Sequence, residues 1–285
     1  MLEIYFESDK EVIRFCEQLF SYNKQIELHW KTNKDWGNHL QLESRLPGNE
    51  SIGTIAQSMT DVFIEHRLKN MIESTIKRIY YYTNSDEIER ILDLTEWIFA
   101  GEDADSLQVR NTEDPSHMLK SLFSASIKNE TTIHYDSIIQ FRLKDFRNQV
   151  IHYVGLAIDE FKREEDHQAF VNMLREYVVK KDPSFETIYV LQGDAFTFYK
   201  QNGKQFSRME LRRLMKSEPL YMVGLDEDEL NLAPLVAMAP KRIKMYGDDP
   251  SEPKTLTVIN VFQEKVDFKS YHHFPFPHSL KKQQK

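Results

Sequence analysis

A chain of 285 residues with 40% hydrophobic and 29% charged residues, including 18 Phe and 13 Tyr, has the composition of a folded globular protein rather than a disordered polymer. Its single cysteine, Cys16, excludes an internal disulfide and a Cys-rich zinc site. The formal charge of −8 is uneven: residues 1–135 hold 14 Lys+Arg against 23 Asp+Glu, a net of −9, and residues 136–285 hold 23 against 22, a net of +1, so only the second half suits a polyanion, and without a basic excess.

The first residues carry no basic run and no long apolar segment, so no secretory leader is expected. No stretch approaches the roughly 18 apolar residues of a membrane span. With one cysteine, the expected compartment is the cytoplasm.

Leu2, Ile4 and Phe6 alternate with polar neighbours and predict a short edge strand. Ser8, Asp9 and Glu11 open a helix with Val12, Ile13, Phe15, Cys16, Leu19 and Phe20 at helical spacing. Cys16 there reads as a small core residue. Ile26, Leu28 and Trp30, then Leu40, Leu42 and Leu46, predict two strands joined through a polar loop at Trp36-Gly37-Asn38. Pro47-Gly48-Asn49 reads as a turn and a boundary. From Gly53 to about Tyr82 the spacing is helical. A second helix is predicted from Ser85, its N-cap, to Ala100, stopped by Gly101. Residues 101–115 read as an acidic loop, and His117–Ile127 as a further helix.

The most periodic segment runs from Ser137 to about Lys162: Ile139, Leu143, Phe146, Val150, Val154, Ile158 and Phe161 fall three and four apart. Gly155 interrupts it at about 1 kcal/mol relative to Ala. The charged run at 162–166 reads as a solvated junction, after which Phe170, Met173, Leu174, Tyr177 and Val178 resume the stripe until Pro183. The period then changes to two. Ile188 and Val190 lead to a two-residue hairpin signal at Gly193-Asp194, a return strand with Phe196 and Phe198, a second signal at Asn202-Gly203 and a short strand at 204–206. Ser207 and Glu210 form a capping box, with Phe206 and Leu211 as its hydrophobic staple. Asp226 and Glu229 signal another helix, with a kink or restart at Pro234. Arg242–Tyr246 predicts a strand, and residues 255–262 fit strand or helix. Beyond Tyr271 the tail is expected to be disordered or loosely docked.

The segment Tyr135-Asp-Ser-Ile-Ile-Gln-Phe-Arg-Leu-Lys-Asp-Phe146 resembles a motif of the YtxC-like family of sporulation-associated proteins from endospore-forming bacteria. That motif is an apolar stretch, Phe-Arg-Leu-Lys, then an acidic and an aromatic residue, opening a long helix. The hairpin from Tyr189 and the passage Leu235-Val-Ala-Met-Ala-Pro-Lys-Arg-Ile-Lys-Met245 resemble the same family, while Pro234 departs from it. The resemblance implies a bacterial cytosolic protein acting in sporulation. It implies no catalytic residue, ligand or cofactor.

Three basic groups form a candidate binding surface: Arg142 and Lys144 beside the apolar stripe, Arg212 and Arg213 after the capping box, and Lys241 and Arg242 before the later strand. Basic side chains near aromatics hold phosphates; the same pattern arises where charges simply solvate a helix. His272, His273 and His278 match no zinc spacing, and a Phe-rich tail packing its aromatics on the body accounts for them better. His66, His134 and His152 lie in or beside apolar stripes and read as structural histidines. No phosphate loop, dinucleotide fingerprint, nucleophile elbow or zinc-protease motif occurs, and no cofactor, metal or catalytic residue is assigned.

The expected fold is α+β: a short β-α-β-β piece over residues 1–50, a long helical middle over 51–182, a C-terminal domain with a hairpin and meander plus helices over 183–270, and a tail over 271–285. The expected function is a non-enzymatic interaction or regulatory protein with a protein partner. The alternatives are a nucleic-acid-associated protein using the basic groups, and an enzyme whose site is assembled from distant residues.

Overall fold

The structure, a computed structural model, describes residues 2–33, 36–44, 48–110, 114–129, 131–226 and 228–276. The chain divides into two compact units, residues 1–163 and 164–285. The α+β expectation holds: each unit is built on a small sheet, and long helices separate the sheets in sequence.

In the first unit, β1 (Leu2–Phe6) leads to α1 (Asp9–Tyr22), and β2 (Ile26–Asn33) and β3 (Gly37–Ser44) form an antiparallel hairpin. A helical segment follows as α2 (Gly48–Phe63), a π-helical turn (Ile64–Leu68) and α3 (Lys69–Arg78). Then come α4 (Ser85–Ala100), α5 (Ala104–Arg110), α6 (Pro115–Asn129), β4 (Thr132–His134), α7 (Tyr135–Phe141) and α8 (Lys144–Lys180). The sheet order is β2-β3-β1-β4, with β4 parallel to β1. Ile4, Phe6, Leu40, Leu42 and Ile133 face a core closed by Phe15, Met59, Phe63, Ile91, Phe123, Phe146 and Tyr153. Of the turn expected at 47–49, Pro47 lies outside the described residues, and Gly48 and Asn49 already belong to α2.

Four sequence expectations change here. β1 is interior rather than at the edge, because β4, some 130 residues away, adds to its free side. The cap of α4 is Asn84, whose Oδ1 accepts the Asp86 and Glu87 N–H groups at 2.8 and 3.3 Å, one residue before the expected Ser85. Within the expected 101–115 loop, α5 forms: Asp103 accepts the Ser106 N–H at 2.7 Å, and buried Arg110 donates to the Phe99 carbonyl at 3.1 Å. The periodic helix breaks between α7 and α8, where Leu143 dips into the core and Arg147 Nη2 caps the Ile139 and Gln140 carbonyls at 2.8 and 3.3 Å. The charged run at 162–166, in contrast, stays helical: Lys, Arg and Glu are good helix formers.

The second unit contains the later part of α8, then β5 (Thr187–Leu191), β6 (Thr197–Tyr199), α9 (Arg208–Lys216), α10 (Ala233–Met238), β7 (Arg242–Gly247), α11 (Pro253–Phe262) and β8 (Val266–Ser270). Its sheet order is β6-β5-β7-β8, antiparallel at β5–β6 and parallel elsewhere. Ile188, Val190, Phe198, Ile243 and Met245 face a core with Leu174, Leu235 and Val258. On the other face, Tyr199 and Tyr246 receive Phe274, whose ring lies 5.1 and 5.3 Å from theirs and which is 6% exposed. The described part of the tail is therefore docked by its aromatics.

The capping box is present, with Ser207 Oγ accepting the Glu210 N–H at 3.2 Å and Glu210 accepting the Ser207 N–H at 2.8 Å. The β5–β6 connection is five residues, 192–196, rather than a two-residue turn. Gln192 opens it by turning away: its Oε1 accepts the Asp248 and Asp249 N–H groups at 3.0 and 3.2 Å, and its Nε2 donates to Thr255 Oγ1 at 2.8 Å. The strand expected at 204–206 reduces to a bridge between Tyr199 and Gln205. Pro234 kinks nothing, because it sits in the first turn of α10, where its missing N–H costs no bond. Glu229 satisfies the neighbouring Leu232 and Ala233 N–H groups at 2.7 and 2.6 Å. The ambiguous 255–262 segment is helical, capped by Glu252.

Candidate functional site

Strand alternation sends Glu3, Tyr5, His39, Gln41, Thr132 and His134 to the face of the first sheet opposite its core. The register aligns Lys31, His39, Tyr5 and His134 in one row across four strands. His39 and His134 stack on the two faces of the Tyr5 ring, with centroids at 4.4 and 4.7 Å and planes 10° and 18° apart. Trp36, in the β2–β3 turn, meets Tyr5 and His39 edge-on at 6.0 and 5.6 Å. His39 is 9% exposed, and its Nε2 lies 3.7 Å from Glu3 Oε2. Such cross-strand pairs stabilise the sheet and at the same time make its outer face aromatic.

The carboxyl ends of β1 and β4 open beside this row into a cavity of about 410 Å³. Tyr5, Trp36 and His134 supply its aromatic lining, and Glu7 and Asp136 its carboxylates. Gly37 allows the close approach of β3 to β1: its φ is +73°, and a Cβ there would lie 2.6 Å from the Phe6 carbonyl oxygen.

Asp136 is held from two sides. Its Oδ2 accepts the Glu7 N–H at 3.0 Å, and its Oδ1 accepts Arg67 Nη2 at 2.8 Å. Arg67 comes from the π-helical turn and also holds both oxygens of Glu11, through Nε and, at 2.7 Å, through Nη2. Hydrogen bonding to Glu11 raises the Arg67 pKa further, so the guanidinium stays charged. π-Turns inside α-helices recur at functional sites. Here the turn supplies one cation shared by two carboxylates, which leaves the trio at −1. Glu7 adds a second negative charge, and among the described residues neither Lys nor Arg lines the cavity. Below the cavity, Tyr135 donates to the Met59 carbonyl at 3.2 Å, and burial raises its hydroxyl pKa.

The basic residues singled out from the sequence lie elsewhere. Arg142 ends α7 and its Nη1 donates to Ser126 Oγ at 3.3 Å; Lys144, exposed, begins α8. Both belong to the first unit. In the second unit, α9 brings Arg212 and Arg213 together on its exposed side, and Arg212 pairs with Asp228 at 3.0 Å. Lys241 and Arg242 adjoin at the start of β7, and Lys241 pairs with Glu186. Arg212 also lines a cavity of about 720 Å³ with Lys216, Glu218, Tyr221, Asp226 and Asp228, a wall of mixed charge.

Among the described residues no group of three His, Cys, Asp or Glu side chains is placed to hold a metal ion. His272 and His273 are exposed, and His278 lies outside the described residues. Cys16 is half-buried, with its thiol pushed up to about 11 by that burial. No helix of the described residues is long and apolar enough to cross a membrane.

Tyr5, Trp36, His134 and Asp136 were not legible as a site. Their convergence depends on the β1–β4 pairing, which joins segments some 130 residues apart and leaves no local pattern. For His134 the spacing predicts a structural histidine beside an apolar stripe. It is exposed, with one ring face on Tyr5.

The model of the YtxC-like family matches residues 53–267. A Bacillus subtilis (strain 168) protein named YtxC is 28% identical over 285 residues, covering 96% of each chain. No solved structure matches the chain. With three quarters of its length matched by the family model, from the helical segment after the first hairpin to β8, the chain belongs to the YtxC-like family.

Proposed function

We propose that this protein acts by binding rather than by catalysis, as an interaction protein in sporulation, and that the crevice at the carboxyl ends of β1 and β4 receives a lysine or arginine side chain of a protein partner. The sporulation context rests on the family resemblance. One observation carries the binding mode: aromatic rings and two carboxylates converge on one cavity that, among the described residues, no Lys or Arg lines. Aromatic faces attract cations through their quadrupole by about 0.5–2 kcal/mol, more as water is excluded. Carboxylates at the rim add charge complementarity and speed encounter with a basic partner. The net charge of −9 over residues 1–135 acts in the same direction.

The test is capture of partners by the tagged protein from sporulating cells, with and without nuclease, beside a Trp36→Ala/Glu7→Gln variant. The expected result is a nuclease-resistant protein partner that the variant loses. Partners that vanish with nuclease, and that reversal of Arg212, Arg213, Lys241 and Arg242 abolishes, would replace this reading with the nucleic-acid one, whose affinity falls steeply with salt.

A further inference from the structure

β2 is an eight-residue edge strand, with β3 as its only strand neighbour among the described residues. The other sheet edges are shorter: three residues in β4 and β6, five in β8. Along β2 only Ile26 is buried; Leu28 is half-buried, and Trp30 remains 42% exposed beside it. A long edge with exposed apolar residues pairs with another chain unless something blocks it.

Its side chains select what pairs there. The register with β3 puts Glu27, His29 and Lys31 on the outer face, and Leu28 and Trp30 on the face that carries Leu40 and Leu42. Two copies joined edge to edge by a two-fold axis perpendicular to the sheet keep like faces together, so opposed residues must have the same parity. Centring the axis on His29 sets Glu27 opposite Lys31 of the second copy and Lys31 opposite its Glu27. The same register sets Leu28 against Trp30 twice. Shifting the centre to Leu28 or Trp30 moves Lys31 away from Glu27 and breaks both charge pairs.

We infer that this protein associates with a second copy of itself through antiparallel pairing of β2 with β2, centred on His29, giving a continuous eight-stranded sheet. The strand carries a self-complementary charge and apolar pattern that an unrelated partner would not require. Edge pairing alone buries an area at the low end for stable complexes, so the dimer is weak and concentration-dependent.

Sedimentation over a concentration series tests this on the full chain. Glu27→Lys alone and Lys31→Glu alone each set like charges opposite twice, and each weakens self-association about tenfold or more. Mixed together, the two variants restore every charge pair, so they form a heterodimer. Both changes are on exposed side chains, and unchanged circular dichroism confirms folding. In a Cys16→Ser background, His29→Cys forms a symmetric disulfide on mild oxidation, because directly opposed Cα atoms lie about 4.5–5.5 Å apart. Lys31→Cys does not. A monomer at all concentrations overturns the inference; so does a dimer insensitive to the single reversals, or a mixture that fails to associate.

Discussion

Arg67 Nη2 joins Glu11 and Asp136 at once, at 2.7 and 2.8 Å, so one guanidinium nitrogen ties α1 to the first turn of α7. Glu11 is 2% exposed, and removing its partner strands a buried carboxylate. Fully buried pairs broken in this way cost about 3–5 kcal/mol. The Arg67 side chain is 36% exposed, so water screens part of that cost. Arg67→Met is expected to lose about 2 kcal/mol in urea unfolding. Glu11→Gln, which removes the stranded charge, loses less. An Arg67→Met variant as stable as wild type would show the clasp to be energetically idle.

Glu210 offers a pH signature. The Lys200 ammonium and then the Ser207 N–H and hydroxyl hold its carboxyl down to about 2, against an ordinary 4.5. A folded-state pKa below the unfolded value contributes stability above the unfolded pKa and loses it as pH falls through the folded one. The difference in Tm between wild type and Glu210→Gln is therefore expected to be constant above about pH 5 and to shrink between about pH 4.5 and 2. Ser207→Ala, which removes the cap itself, is expected to cost about 1 kcal/mol at neutral pH. A Glu210→Gln difference that persists unchanged to pH 2 would mean the box does not act through charge.

Gly155 lies in the middle of α8 for a reason the periodic stripe did not reveal. A Cβ there would sit 2.9 Å from the Tyr80 hydroxyl, which donates to the Ile151 carbonyl at 3.0 Å. Gly155→Ala alone gains helix propensity but displaces that hydroxyl, and is expected to be near neutral. With Tyr80→Phe the obstruction is gone, and adding Gly155→Ala is then expected to stabilise by about 1 kcal/mol. Thermal unfolding of the four-member cycle reads the coupling directly.

Gly247 is less forgiving. A Cβ would fall 2.0 Å from Gln192 Oε1, which accepts two N–H groups of the turn after β7. Gly247→Ala must break that network, and is expected to cost at least about 2 kcal/mol. Gln192→Gly removes the same bonds and also the Gln192 Cβ, which would itself lie 2.7 Å from the new methyl, so adding Gly247→Ala to it should cost little more. Equal costs of Gly247→Ala in both backgrounds would place its effect elsewhere.

Local signals translated well into local structure. The Ser207–Glu210 box, Gly101 as a helix stop at φ 60°, and the apolar faces of α1, α4 and α8 follow from spacing and capping chemistry within a few residues. What escaped depends first on side-chain bonds to the backbone that periodicity does not show. Asp103 and Arg110 turn an acidic loop into α5 by bonding to Ser106 and Phe99, and Arg147 ends α7 from the next helix. The crevice escaped because its parts lie far apart in the sequence. Tyr5 and His134 touch because two short strands pair across most of the first unit.

That pairing also sets a schedule for biosynthesis. β1 and its antiparallel neighbour β3 are complete within the first 44 residues, but the other side of β1 waits for residues 132–134. Until then the nascent chain carries the apolar Ile4 and Phe6 on a three-stranded sheet with two open sides, and closing it means bridging a loop of roughly 125 residues, an entropic cost that slows folding. During that interval the emerging chain is most exposed to wrong pairings and most in need of chaperone cover. Substitutions in β4 should therefore reduce the yield of folded protein in cells more than they reduce the stability of the molecules that succeed.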